Sequence, residues 1–347
     1  MKTLEGADAQ LRQGLAELLQ QEPVSEQAAL EIFGALADSG ANAALKAAVL
    51  TALSAKGLSA PELAAFARAM LLAARGPIPH TGKILVDTCG TGGDGSGSFN
   101  FSSACALLVA ALGIPVAKHG NRSVSSRSGS ADFFQALGVP FQKTASEAQG
   151  ALEQEGFAFL FARDFHPAMR GLAEVRQQLG IRTLFNLLGP LVNPARPSHQ
   201  LIGCTSSQIG SLLAQTAQQL DLQRAFIVCG NDGWDEATPC GPFEVFEVGK
   251  GQVRARKMNP AEFDVRRCSP EDLRAGDAED NARLLHALFR GERGPLRSAV
   301  VLNAALVLLL VGVADSPKAA AQIAGEGIDS GAASSLLQRL TKGEPKA

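Results

Sequence analysis

Residues 83–113 read KILVDTCGTGGDGSGSFNFSSACALLVAALG. An apolar run leads into five glycines within eight residues, and an alanine- and leucine-rich run follows, so the stretch predicts a strand, a glycine loop and a helix near 102–112. Glycines permit positive φ and let backbone N–H groups approach an anion, and the first turn of a helix adds unpaired N–H groups. We therefore expect a phosphate or diphosphate here, although the glycine spacing matches neither the dinucleotide fingerprint nor the Walker motif.

A second polar loop follows the next apolar segment. IPVA at 114–117 predicts a strand, and Lys118, His119, Gly120 and Asn121 are expected where that strand ends. The carboxyl ends of strands in an open α/β sheet share one crevice. The two loops are therefore expected to face a single ligand.

Two adjacent acids come after a third apolar segment. Asp235 and Glu236 follow RAFIVCG at 224–230 and a short turn. Adjacent carboxylates in a loop favour a cation, and Mg²⁺ binds carboxylates together with substrate phosphates. The alternative is two solvated acids on a surface loop, and the dipeptide alone favours that alternative.

The order of the predicted elements indicates an α/β fold in two parts. Residues 1–76 contain only helical patterns, whereas short β-rich runs then alternate with helices, which is typical of a mainly parallel sheet. The segment 167–194 interrupts this alternation, with a helix predicted over 167–180, and we expect it to return to the helical part. We thus predict a small, sequence-discontinuous α-helical domain and a large α/β domain formed by residues 77–166 and 195–347.

One edge of the sheet is expected to be antiparallel. The run 243–258 alternates in polarity around Gly249-Lys250-Gly251, which predicts a β-hairpin. Gly189 and Asn193, each followed by a proline, are predicted to be turn or hinge residues.

Composition narrows the class of protein. The 32 Lys and Arg nearly balance 34 Asp and Glu, so we expect neither a nucleic-acid nor a membrane-surface role. The N-terminus lacks the apolar run of a secretory signal, and the longest apolar run, Ala299–Ala314, is interrupted by Asn303 and falls short of the roughly 20 residues that span a bilayer. Six cysteines without a C-x-x-C motif suit reduced thiols, so a cytoplasmic location is expected.

Four of these motifs together resemble a known family. In order they are GTGGD at 90–94, Asn-x-Ser at 100–102, KHGN at 118–121 and SGSAD at 128–132. Their order and spacing are similar to those of anthranilate phosphoribosyltransferases, and the similarity continues through HPAM at 166–169 and the acidic pair. Four motifs in register are far more specific than any one of them.

The resemblance implies a fold of the nucleoside phosphorylase/phosphoribosyltransferase type and a defined reaction. The phosphoribosyl group of phosphoribosyl pyrophosphate would pass to anthranilate, giving N-(5-phosphoribosyl)anthranilate and pyrophosphate in tryptophan biosynthesis. It also implies Mg²⁺ as cofactor and a homodimer formed through the helical domain.

The resemblance also assigns residues to this reaction. Catalytic roles fall on Lys118, Arg176, Asp235 and Glu236, and the Mg²⁺ ligands are Ser102, Asp235 and Glu236. The implied substrate-binding residues are Gly90, Thr91, Gly92, Gly93, Asp94, Asn100, Ser102, Ser103, Lys118, His119, Gly120, Asn121, Ser130, His166 and Arg176.

Simpler interpretations exist for several of these side chains. Without the resemblance, Arg176 would be a solvated helix arginine and Lys118 a surface lysine, while Ser102 and Ser103 could simply cap their helix. Two rival functions also remain: a pyrimidine nucleoside phosphorylase-like enzyme, and a non-catalytic relative that binds nucleic acid in the same cleft. The near-zero net charge gives the second little support.

Overall fold

The computed structural model describes residues 4–80, 82–123, 127–220, 222–249 and 251–342. Four helices open the chain: α1 (Leu4–Leu19), α2 (Glu26–Ala37), α3 (Ala43–Lys56) and α4 (Ala60–Leu72). Their starts follow local capping chemistry, since the side chains of Ser25 and Asn42 accept backbone N–H groups of α2 and α3. At α4, Ser59 and Glu62 form the reciprocal capping box.

A seven-stranded sheet forms the centre of the larger part, in the order β3-β2-β1-β4-β5-β6-β7. The strands are β1 (Val86–Gly90), β2 (Val116–Gly120), β3 (Phe157–Phe161), β4 (His199–Cys204), β5 (Arg224–Cys229), β6 (Phe243–Gly249) and β7 (Gln252–Met258). The first five are parallel, and β6 and β7 form the predicted antiparallel hairpin, whose central Lys250 lies outside the described residues. The mainly parallel sheet is thereby confirmed.

Two strands run further than predicted. Both β1 and β2 begin two residues later and end three residues later than the apolar runs suggested. Gly90 and the residues Lys118 to Gly120 therefore belong to strands instead of loops. The neighbouring ladders explain the shift, because β1 pairs with β4 as far as Gly90↔Gly203 and β2 pairs with β3 as far as Gly120↔Phe161.

Helices cover both faces of the sheet. Besides α1 to α4, the α-helices of the described residues are α5 (Phe101–Ala111), α6 (Ser130–Leu137), α7 (Ala145–Glu155), α8 (Ala162–Phe165), α9 (Ala173–Leu179), α10 (Leu184–Leu188), α11 (Ser207–Ala217), α12 (Ala278–Phe289), α13 (Pro295–Leu310), α14 (Pro317–Asp329) and α15 (Ala332–Lys342). The predicted core helix is α13, which packs on α5 and α14. In the described part of the chain, no helix combines the length and apolarity needed to span a membrane.

The predicted single helix over 167–180 is wrong. A 3₁₀ helix (Pro167–Leu172) comes first and α9 begins at Ala173. The break follows from a close approach to the N-terminal helices: a Cβ on Gly171 would lie 2.9 Å from the carbonyl oxygen of Ala37. The buried Lys46 ammonium also donates to the carbonyls of Gly171 (3.0 Å) and Asp38 (2.6 Å).

The segment 167–194 packs against the N-terminal helices. Its apolar residues Leu172, Phe185 and Leu188 share a core with residues of α1 to α4, and that core continues onto one face of the sheet at Ile202 and Ile227. In this arrangement Arg182, between α9 and α10, donates to the carbonyl of Gly93 in the loop that follows β1.

Candidate active site

The glycine loop bends around the acidic pair. Gly92 and Gly93 have φ of +71° and +74°, which favours glycine, and the N–H of Gly92 donates to Asp235 Oδ2 at 2.7 Å. A Cβ on Gly90 would lie 2.3 Å from the same carboxylate oxygen. The loop and the acids, 143 residues apart in sequence, therefore form one unit.

Asp235 is buried, Glu236 is half-buried, and their negative charges are poorly neutralised. Burial, and then the charge of Asp94, raise the pKa of Asp235 to about 7. Burial and the charge of Asp235 raise the pKa of Glu236, against the opposing effects of Lys118 and of the Ser102 N–H, which donates to Glu236 Oε1 at 3.2 Å. The alternative of two solvated surface acids is excluded.

These acids suit a hard divalent cation. Their donors are carboxylate oxygens, and Asp94 adds a buried oxygen, Oδ2, that has no hydrogen-bond partner among the described residues. Within the described ranges, no three His, Cys, Asp or Glu side chains form a preassembled metal site. Mg²⁺ does not require one, because it is commonly held by one or two carboxylates plus substrate phosphates. The residues present therefore fit the cofactor that the sequence resemblance implied.

Trp234 anchors the acidic loop. Its side chain is buried in the main core, and its carbonyl accepts the N–H of Gly230 at 2.8 Å. The hydrogen bond to Gly230 closes the turn between β5 and the acids, and the buried indole holds that turn against the core. Together they fix the position of the next residue, Asp235.

Neither Ser102 nor Ser103 caps its helix. Asn100 takes the cap position, and its carbonyl accepts the N–H of Ala104 at 3.0 Å. Both serines lie in the first turn, where Ser102 binds Glu236 through its backbone N–H and Ser103 has a buried hydroxyl without a partner. The Ser102 hydroxyl as a metal ligand stays a prediction.

Lys118 is an internal cation. It is 2 % exposed, and its ammonium donates to the carbonyl of Thr88 on the neighbouring strand. Its charge lowers the pKa values of Asp87 and Glu236 against the larger effect of burial. The surface-lysine interpretation is therefore wrong, and Lys118 is a buried cation near the carboxylates of Asp87 and Glu236.

The second loop touches the first. Asn100 Nδ2 donates to the carbonyl of Ser128 (3.3 Å), and the Ser128 hydroxyl donates back to Asn100 Oδ1 (2.9 Å). Ser130 donates to the Asn121 carbonyl (3.3 Å) and lies so close to Gly120 that a Cβ there would meet its hydroxyl at 2.1 Å. The loops after β1 and β2 thus line one cleft.

Two histidines face each other at the floor of this cleft. The rings of His119 and His166 are 5.2 Å apart. Burial and then the neighbouring His166 lower the pKa of His119, and burial lowers the pKa of His166 to about 4. Both rings are therefore neutral at pH 7, although the backbone of Gly189 and of Val192 acts against the lowering of their pKa values. Within the described residues, His119 Nε2 and both nitrogens of His166 lack a hydrogen bond of good geometry.

Arg176 is stacked instead of solvated. Its guanidinium carbon lies 5.3 Å from the ring centre of Phe185, and burial lowers its pKa without removing the charge. Among the described residues it has no hydrogen bond or ion pair. A half-buried, charged arginine without an internal partner is suited to a ligand carboxylate.

Sequence reasoning missed Asp87 and Arg182 beside this cleft and gave Asn193 only a turn or hinge role. Asp87 is fully buried and accepts from Asn193 Nδ2 (2.9 Å) and from the N–H of His119 (3.2 Å), and burial raises its pKa. Asn193 also closes a turn by accepting the Ala195 N–H (2.9 Å), so the turn interpretation is confirmed. Arg182 donates to the carbonyl of Gly93. Among these residues, only Asn193 had a visible sign in the sequence, as a polar residue directly after an apolar run.

Unpartnered buried polar atoms concentrate here. Eight buried side-chain atoms in the described part of the chain have no hydrogen-bond partner, and six of them belong to predicted site residues. Those residues are Thr91, Asp94, Ser103, His119 and His166. Since native proteins leave few such groups unpaired, this concentration indicates a polar ligand.

Comparison with known proteins gives the same assignment. Residues 12–74 match the helical bundle domain of the glycosyl transferase family, and residues 82–334 match its a/b domain. The anthranilate phosphoribosyltransferase of Desulforudis audaxviator is 42% identical over 330 residues, covering 95% of each chain.

Two solved structures are similarly close. The crystal structure of anthranilate phosphoribosyltransferase from Thermus thermophilus superposes with a TM-score of 0.88 at 42% identity, covering 95% of this chain and 98% of that one. The Saccharomyces cerevisiae enzyme in complex with phosphoribosyl pyrophosphate and Mg gives 0.89 at 25% identity, covering 96% and 98%. The chain, with its glycine loop, acidic pair and paired loops, therefore belongs to the anthranilate phosphoribosyltransferase family.

Proposed function

We propose that this cleft transfers the phosphoribosyl group of phosphoribosyl pyrophosphate to anthranilate, with the leaving group at the acidic pair and the acceptor at Arg176. One end of the cleft has the acidic pair, the glycine loop and the Lys118 ammonium, and the other has an arginine and two neutral imidazoles. The two ends match a diphosphate and an amino-substituted aromatic acid.

The acidic end holds the leaving group. Asp235 and Glu236 would hold Mg²⁺, which when bound supplies positive charge against the departing pyrophosphate. The glycine loop presents N–H groups, and Lys118 contributes a buried positive charge beside Glu236. These groups stabilise the negative charge that develops as the ribosyl C1–O bond breaks.

The acceptor end orients the amine. Arg176 binds the anthranilate carboxylate, and the unpartnered nitrogens of His119 and His166, with Asn121 nearby in sequence, are available to the amine. An arylamine is uncharged at pH 7, and His166, with a pKa of about 4, is a weak base. Rate acceleration therefore depends on orientation more than on proton removal.

One observation carries this proposal: most of the buried, unpartnered polar atoms of the described residues surround this single cleft. The test is a fluorescence assay that follows loss of anthranilate with phosphoribosyl pyrophosphate, with and without Mg²⁺. We expect turnover only with both. Phosphorolysis of a pyrimidine nucleoside without anthranilate turnover would instead favour the nucleoside phosphorylase alternative.

We also propose the discontinuous helical domain (1–76 with 167–194) and a homodimer formed through it. The packing of the second segment on the first supports the domain, and exposed leucines at 19, 30 and 72 offer an apolar surface for the dimer. Sedimentation equilibrium tests the dimer. The cytoplasmic location stays a prediction that the six free cysteines suit.

A further inference from the structure

A buried asparagine interrupts the apolar helix α13. Asn303 is 1 % exposed and is flanked along the helix by buried alanine, valine and leucine. A side-chain amide in such surroundings is costly unless its hydrogen bonds are satisfied. Its partners therefore indicate why the sequence places it there.

Asn303 binds the peptide that follows the acidic pair. Its Oδ1 accepts the N–H of Ala237 (3.3 Å), and its Nδ2 donates to the carbonyl of Ala237 (2.8 Å) and to that of Ala299 (2.9 Å). Both backbone groups of Ala237 are thus held by one side chain from a rigid helix. Asn303 also lines a small cavity with Asp235 and Glu236.

We infer that Asn303 is a positioning residue for the acidic pair, holding the Ala237 peptide so that Glu236 points at the N–H of Ser102. The inference rests on the proposed role of Asp235 and Glu236 in binding Mg²⁺ with phosphoribosyl pyrophosphate. Because the two adjacent carboxylates repel each other, their geometry depends on the backbone that carries them. Residues that orient metal ligands from behind typically change affinity or activity about 10- to 100-fold when removed.

The chain contains a probe for this effect. Trp234 is the only tryptophan and there is no tyrosine, so intrinsic fluorescence reports on the residue directly before Asp235. Titration with phosphoribosyl pyrophosphate at fixed Mg²⁺, without anthranilate, measures binding in the absence of turnover. Asn303→Leu removes the amide at similar volume, and Asn303→Ala leaves room for water to pair with Ala237. Leu308→Ala, at a buried position on the same helix, is the control for general destabilisation.

We expect both Asn303 variants to bind phosphoribosyl pyrophosphate about 10- to 100-fold more weakly than wild type, with the KM for anthranilate changed less than about twofold. Leu308→Ala should unfold at a lower temperature and bind normally. Unchanged binding in Asn303→Ala, or equal weakening in Leu308→Ala, would overturn the positioning role while leaving the proposed function intact. If the fluorescence of wild type does not respond, isothermal titration calorimetry replaces it, and absence of phosphoribosyl pyrophosphate binding by wild type there would overturn both the positioning role and the proposed function.

Discussion

Replacing Asp235 by asparagine should stabilise the ligand-free protein at neutral pH. In the wild type, the buried Asp235 carboxylate accepts the Gly92 N–H at 2.7 Å and lies beside Asp94, whose charge helps raise its pKa to about 7. The asparagine oxygen can accept the same N–H, while its amide can donate to Asp94. The substitution therefore exchanges a repulsive contact for a hydrogen bond.

The size and sign follow from linkage between protonation and folding. The pKa of Asp235 is about 7 in the folded protein against an ordinary value of 3.8, so the folded state binds this proton more tightly than the unfolded state. Wild type therefore loses stability as pH rises from about 4 to about 7. A pKa difference of about three units corresponds to at most about 4 kcal/mol. The variant should exceed wild type by about 1–4 kcal/mol at pH 8, and the advantage should vanish near pH 4.

Urea unfolding at pH 4 to 8, without Mg²⁺, measures this difference. Asp264→Asn is the matched control, because Asp264 is exposed and its φ of +58° is one that asparagine tolerates. We expect it to change stability by less than about 0.5 kcal/mol at any pH. An Asp235→Asn variant that is less stable than wild type at pH 8 would refute the reasoning. The variant should also lose the stabilisation that Mg²⁺ with phosphoribosyl pyrophosphate gives wild type.

Three further substitutions test other parts of the site. Arg176→Ala should raise the KM for anthranilate about 10- to 100-fold in steady-state assays, because a charge-assisted contact is worth about 1.5–3 kcal/mol. The control is Arg170→Ala, at an exposed position, which should behave as wild type. Arg182→Ala frees the Gly93 carbonyl and should raise the KM for phosphoribosyl pyrophosphate about two- to tenfold; an unchanged value would remove Arg182 from the site. Lys46→Met leaves two carbonyls without a hydrogen bond and should lower the free energy of unfolding, measured with urea, by about 2–5 kcal/mol. Stability close to that of wild type would show that these two hydrogen bonds contribute little.

Local chemistry made the elements predictable. The hairpin of β6 and β7 follows from alternating polarity around two glycines, and α4 follows from the Ser59–Glu62 capping box. Such signals act within a few residues, so a single sequence contains them. The break before α9 was missed because its cause, the contact of Gly171 with Ala37, joins residues far apart in the chain.

The same distinction applies to the site. Its motif-borne residues could be singled out, yet their partners could not, because the Asp87–Asn193 bond spans 106 residues and the Arg182–Gly93 bond spans 89. Asn193, Asn281 and Asn303 each bind backbone groups next to a functional residue. For Asn303 alone, a polar residue inside a long apolar run was visible in the sequence as a sign of such a contact.

Some glycines near the cleft make room for the acidic loop. Gly90 leaves room for the Asp235 carboxylate, and on the neighbouring strand a Cβ at Gly203 would lie only 1.6 Å from the carbonyl oxygen of Asp235. Two glycines at paired positions of β1 and β4 therefore admit the acidic loop to the end of the sheet, where Gly92 then donates to it. The glycine spacing matches no phosphate-binding motif because some of these glycines make room for Asp235. Only the other glycines of the loop are left to meet a bound anion. The glycine loop and the acid proposed to hold Mg²⁺ are thereby held together as one unit, which suits a substrate that presents a diphosphate and its metal together.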